Sequence, residues 1–232
     1  MFLRVLLLCL LLAGCGQTAA PVRPLQPEAH EAWPEGGRLA AVDAARSRLQ
    51  ILVFRAGTAA ALGHNHVLTA PRLQGWLWTP DAGLEGARFA LRLRLDELEL
   101  DAPEFRASLG PDFASHLDAE AIAGTRAHML GADNLEADRY PVLQLRSASI
   151  SGQLPQLQAE VEIELHGQRR RQLIALEVWQ EDGVWRTRGD FTVRQSNFGV
   201  RPYSVLGGLL AVQDELKISF DILSSAPRTA GR

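Results

Sequence analysis

Leu157-Gln158-Ala159-Glu160-Val161-Glu162-Ile163-Glu164-Leu165-His166 alternates an apolar with a polar residue at every step. Successive side chains of an extended chain point to opposite faces, so this run is a strand with one apolar and one wet face. Gly167 ends it, and with Gln168 and Arg169 it marks a hairpin turn. The next run sets Ile174, Leu176 and Val178 on one face, and Glu181-Asp182-Gly183 turns the chain into a strand from Trp185 to Val193. Near the end, Leu216, Ile218, Phe220 and Ile222 alternate with Lys217, Ser219 and Asp221. Upstream, Leu49 to Phe54 is a more continuously apolar strand, and Phe89, Leu91, Leu93 and Leu95 alternate with Ala90, Arg92 and Arg94. The phase slips at Asp96-Glu97 before Leu98 and Leu100 resume it, as one extra residue in a β-bulge would make it do.

One stretch breaks the period of two. Between Pro111 and Leu135, Phe113, Leu117, Ala121, Ile122, Met129 and Leu130 recur at helical spacing. Asp118 is placed to cap that helix and Gly124 to interrupt it. The fold class is therefore all-β with a helical insert: many short antiparallel strands with one apolar face, forming a barrel or sandwich.

The N-terminus reads as an address. Arg4 supplies a positive charge, Val5 to Leu12 is unbroken and apolar, and Leu12-Ala13-Gly14-Cys15 resembles a bacterial lipobox. The apolar run is too short to span a bilayer, which takes about 20 residues. Residues 1–14 are thus expected to be a lipoprotein signal peptide, with Cys15 the acylated N-terminus of the mature chain. By resemblance to lipoprotein sorting signals, Gly16 after the cysteine, with no aspartate there, implies the periplasmic side of the outer membrane if the cell is Gram-negative. Residues 15–38, with Pro21, Pro24, Pro27, Pro34 and Gly36-Gly37, read as a tether. The folded domain is expected over 39–223 and a C-terminal tail over 224–232. Cys9 is the only other cysteine and leaves with the leader, so no disulfide is expected.

The formal net charge of -3 and a pI near 6.1 argue against a nucleic-acid partner. The sequence has no Gly-x-Ser-x-Gly, Walker loop, Cys-x-x-Cys or His-Glu-x-x-His, so no enzyme is expected. Its sharpest local feature is His64-Asn65-His66. On a strand the two imidazoles share a face and could converge on a metal or on a ligand head group. No third metal ligand stands nearby in sequence, so no cofactor is assigned. A periplasmic metal-binding or redox-partner module using His64 and His66 remains an alternative, as does a purely structural envelope barrel.

Several phrases together resemble the YceI-like family. Arg126, His128, Met129, Leu130, Gly131, Leu135 and Tyr140-Pro141 are similar to its mid-chain helix and the turn after it. Glu164-Leu165-His166-Gly167 resembles its central hairpin. Phe191-Thr192-Val193-Arg194, Ser196 and Phe198-Gly199-Val200 resemble its late strand and turn. Arg46-Ser47 stands where the family usually has His-Ser, and Gly63-His64-Asn65-His66 is richer in histidine than the family's single histidine. The resemblance covers Leu39 to Leu223. It implies a lipocalin-like antiparallel β-barrel of about eight strands with one helix packed alongside. It also implies binding of a long isoprenoid lipid, such as a quinone or polyprenyl species, without catalysis. Candidate ligand-binding residues are then His64, His66, Trp76, Trp78, Phe89, Leu91, Leu93, Arg126, His128, Met129, Phe191, Phe198 and Phe220. The expected partners are the lipid and, through Cys15, the membrane; a homodimer is left open.

Overall fold

The structure, a computed structural model, describes residues 33–226 and 228–229. The leader, Cys15 and most of the tether lie outside the described residues. No described helix is long and apolar enough to cross a membrane.

Among the described residues thirteen strands follow the chain: β1 (Arg38–Ala41), β2 (Arg48–Ala56), β3 (His66–Thr69), β4 (Gln74–Thr79), β5 (Arg88–Arg94), β6 (Glu99–Leu100), β7 (Val142–Gln153), β8 (Gln156–Leu165), β9 (Gln168–Glu181), β10 (Val184–Arg194), β11 (Ser204–Val205), β12 (Leu210–Leu223) and β13 (Arg228–Thr229). Two helices, α1 (Pro103–Ser108) and α2 (Ala119–Leu130), separate β6 from β7. The strands form one antiparallel sheet in the order β13-β1-β4-β5-β7-β8-β9-β10-β12-β2-β3-β6, with β11 beside β12.

This count exceeds the expected eight because two long strands are broken and three short ones are added. β2 pairs with β3, matching Gln50 to Thr69, and β1 pairs with β4, matching Ala41 to Trp76. β1–β2 and β3–β4 are thus the two arms of one hairpin, each interrupted by a turn. Counted this way, eight strands curl round, and the hairpin closes the ring against β12. Leu49 and Ile51 pair with Phe220 and Ile218 along β2. Past the interruption, Val42 bridges Ser224, the Asp43 amide donates to the Leu223 carbonyl (2.8 Å), and the Ser225 amide donates to the Ala41 carbonyl (2.6 Å). Ser47 adds to the seam: its hydroxyl oxygen accepts from the Leu223 amide at 3.0 Å.

The folded unit therefore extends beyond the expected 39–223 at both ends. β1 starts at Arg38, and the Gly36 carbonyl accepts a hydrogen bond from the Trp78 indole at 2.9 Å. Beyond Leu223, Ser224 and Ser225 help close the barrel and β13 pairs with β1. Ser224 and Arg228–Thr229 are thus part of the sheet.

The alternation read from the sequence is the alternation in space. Ala159 and Val161 are fully enclosed and Ile163 nearly so, and Ile174, Leu176 and Val178 meet them from β9. Glu160, Glu162 and Glu164 lie on the wet face, where Arg171 and Arg169 pair with them across strands. Arg169 and Arg171 thereby belong to a cross-strand charge ladder, of the kind worth only tenths of a kcal/mol when exposed, while Arg170 bonds the Arg169 carbonyl and the Gln168 side chain. The β8–β9 loop is His166-Gly167 alone. His166 has φ 52° and Gly167 has φ 69°. Positive φ at both positions is what a two-residue type I′ hairpin requires. Gln168 and Arg169 already belong to the next strand.

The phase slip at Asp96-Glu97 is a 3-10 turn (Leu95–Glu97) and not a bulge. The Arg94 guanidinium makes two bonds, at 2.9 and 2.8 Å, to the Asp96 carboxylate and holds that turn. Asp118 caps α2 as expected, its carboxylate accepting from the Ala121 amide at 2.8 Å. Gly124, however, does not interrupt the helix, which runs through it. α1 lies upstream of the expected helical region, with Pro103 at its first turn.

Two glycines give opposite expectations. A Cβ on Gly124 would meet no neighbouring atom. Gly124→Ala should therefore raise stability by about 0.5–1 kcal/mol in urea denaturation. A Cβ on Gly167 would need positive φ and would sit 2.7 Å from the Tyr140 ring. Gly167→Ala should therefore cost at least ~1 kcal/mol. A neutral Gly167→Ala would contradict the hairpin geometry.

Candidate ligand cavity and the His66–Asp101 network

The inward faces of the strands do not fill the barrel. Two chambers remain, of about 120 Å³ and 270 Å³. The smaller is walled by residues such as Val42, Leu77, Phe89, Leu91, Val178 and Phe220. The larger is walled by Ile51, Leu68, Met129, Leu143, Phe198 and Val200, among others. Leu145 and Phe191 border both. The smaller chamber also shares Leu84, Ile150, Leu157 and Trp185 with an outer hollow of about 650 Å³, whose rim carries Arg38, Asp81 and Glu85. Polar side chains are unevenly spread: the larger chamber has His66, Thr125, His128, Asn134, Gln195 and Tyr203, and the smaller is almost entirely hydrocarbon.

Several expected ligand-binding residues meet at these chambers. Phe89, Leu91 and Phe220 border the smaller, His66, His128, Met129 and Phe198 border the larger, and Phe191 faces both. Trp76 also reaches the smaller chamber. Four candidates do not. Trp78 pairs with Arg88, on the face opposite Leu77, and its ring lies against Gly37 with its N–H on Gly36, so the N-terminal segment covers it from outside. Leu93 is buried in the core cluster with Leu68, Leu95 and Leu98 and touches no chamber. Arg126 is committed to the chain, donating to the Leu98 carbonyl at 2.6 Å and to the Asp96 carbonyl. His64 lies in the loop before β3, where its Nδ1 meets the Ser115 hydroxyl at 3.1 Å.

The two histidines thus take different partners. His66 opens β3 and faces inward with Leu68; its Nδ1 donates to the Asp101 carboxylate at 2.6 Å. Among the described residues no group of three metal-ligating side chains forms. Asn65 between them is buried and fully engaged: its side chain accepts from the Arg55 amide and donates to the Asp112 carbonyl.

Asp101 is the hub, and nothing in the sequence marked it. Its side chain is fully enclosed. Its backbone is left-handed, with φ 57°. Aspartate tolerates that conformation better than most residues. Its carboxylate accepts from His66, from the Val67 amide at 3.0 Å and from Arg106 at 2.6 Å. Arg106, on α1, also donates to the carbonyls of Asn65 and Ser115. Burial pushes the Asp101 carboxyl up, but the three donors outweigh it and hold the group below the usual carboxylate range. His166 plays a similar tying role at the hairpin, with Nδ1 on the Phe198 carbonyl (3.1 Å) and Nε2 on Glu136 (2.9 Å).

Because its folded pKa is depressed, Asp101 contributes stability above the unfolded carboxyl value of about 3.9, lost as pH falls through the folded value. Asp101→Asn should cost about 2–4 kcal/mol at pH 7, since it leaves Arg106 and His66 without their anion. The gap between wild type and variant should narrow when urea denaturation is repeated from about pH 5 down to about pH 3. A gap independent of pH would contradict an ionised Asp101.

The sequence matches the YceI-like domain over residues 80–223. Among solved structures, that of Burkholderia cenocepacia BcnA superposes with a TM-score of 0.57 at 13% identity, covering 79% of this chain and 99% of that one. A Campylobacter jejuni YceI protein gives a TM-score of 0.41 at 7% identity over 62% of this chain and 73% of that one. A search of curated proteins returns no match. The domain match spans more than half of the chain, from the β4–β5 loop to the end of β12, and the barrel agrees with it: the chain belongs to the YceI-like family.

Proposed function

We propose that this protein binds a long isoprenoid lipid inside its barrel and carries it, without chemistry, in the cell envelope, held there by an acyl group on Cys15. The observation that carries the reading is the pair of apolar chambers that share Leu145 and Phe191 in their walls. Each methylene moved from water into such walls gains about 0.8 kcal/mol. A chain of several isoprene units therefore gains enough to offset the ordering of its torsions, with few polar contacts needed. Hydrocarbon of this kind is insoluble in water, so crossing an aqueous compartment calls for an enclosure of this shape. The anchoring part of the reading is supported by the lipobox-like Leu12-Ala13-Gly14-Cys15.

Leu145→Trp pushes a larger side chain from the shared wall into the two chambers while keeping the strand and its inward face. Geranylgeraniol binding, followed by quenching of intrinsic tryptophan fluorescence, should weaken at least tenfold. Overpacking should cost about 1–3 kcal/mol, so the variant should still unfold cooperatively. Undiminished affinity in a folded variant would place the lipid elsewhere.

A further inference from the structure

The polar groups of the larger chamber are not equivalent. Asn134 donates to the Arg201 carbonyl, Gln195 donates to the Gln213 carbonyl, and His128 stacks against Tyr203 at 5.3 Å. His66 differs in its partner, a buried carboxylate that fixes which ring nitrogen carries the proton. Its Nδ1 is bound to Asp101, and its Nε2 has no hydrogen-bond partner among the described residues, although the ring borders the chamber between apolar neighbours such as Leu68 and Leu100.

The chemistry of the partner decides what the free nitrogen offers. The Asp101 carboxylate already takes the Val67 amide and Arg106, so it can act toward His66 only as an acceptor. In the neutral ring the proton then sits on Nδ1, and Nε2 presents a lone pair. A ligand that displaces water from this nitrogen without supplying a donor leaves it unpaired in a largely hydrocarbon wall, at a cost in free energy. A ligand that brings a donor there is favoured over one that does not.

Resting on the isoprenoid reading above, we infer that His66, oriented by Asp101, is a specificity-determining acceptor for a head-group hydroxyl. The preferred ligand is then an isoprenoid ending in an O–H donor, with its head in the larger chamber and its tail in the smaller. A chain ending only in acceptor oxygens, such as an ether or a ketone, meets the Nε2 lone pair with a lone pair.

The test compares geranylgeraniol with its methyl ether, which differ in the donor proton and one methyl group, on the full-length protein by isothermal titration calorimetry. Wild type should bind the alcohol about tenfold more tightly, the scale of one hydrogen bond in an apolar site. In His66→Leu the two affinities should converge, mainly through loss on the alcohol side. Asp101→Asn, which can turn the ring to its other tautomer, should shift the preference toward the ether. Equal binding of alcohol and ether by wild type overturns the inference and leaves the isoprenoid reading standing, and so does an unchanged ratio in folded His66→Leu. Failure of both ligands to bind wild type overturns the two together.

Discussion

The fold depends on closing the ring between β12 and the broken β1–β2 strand. An open antiparallel sheet with one apolar face exposes that face and leaves two edges. Here the first and last strands of the domain meet, and serines hold the seam. Ser47 bonds the Leu223 amide and Ser225 pairs with Ala41, while on the other side the Ser224 hydroxyl ties the end of β12 to β10, accepting from the Trp185 amide at 2.9 Å. Only after closure do Leu49 and Ile51 face Leu145, Val161 and Phe191 across an interior. Everything attributed to the chambers follows from that enclosure.

A second constraint shapes the wall beside the larger chamber. The β9–β10 ladder runs from Glu181–Val184 to Glu177–Arg188 and stops there. Beyond it the Gln172 amide side chain donates to the Thr192 carbonyl, and the turn after β10 brings Phe198 and Val200 into the core with Ile163 and Ile174. His166 binds that turn through the Phe198 carbonyl. The Phe198-Gly199-Val200 and His166-Gly167 phrases that resemble the family thus meet in space and complete one wall.

Much of the barrel was legible because half-burial writes a period of two into β8, β9 and β12. The Asp118 cap was legible because a capping bond is local. What escaped were features set by register between distant strands. Trp78 looks like a cavity residue beside Trp76, yet it reaches neither chamber and lies buried under the chain at Gly36. The eight-strand count failed as a segment count because single turns interrupt β1–β2 and β3–β4 without changing the path of either arm. His66 was legible as a chemically pointed residue, but its partner Asp101 lies 35 positions away and no spacing rule joins them. Arg126 looked like a head-group ligand; its use is to satisfy the carbonyls of Asp96 and Leu98 at a turn.

The central claim is that the two chambers hold an isoprenoid chain. The most direct measurement is mass spectrometry of an organic extract of the full-length protein purified from its native envelope. We expect an isoprenoid lipid at close to one molecule per protein. A protein that repeatedly yields no lipid, or yields straight-chain acyl lipids in the same amount as the surrounding membrane, would contradict it.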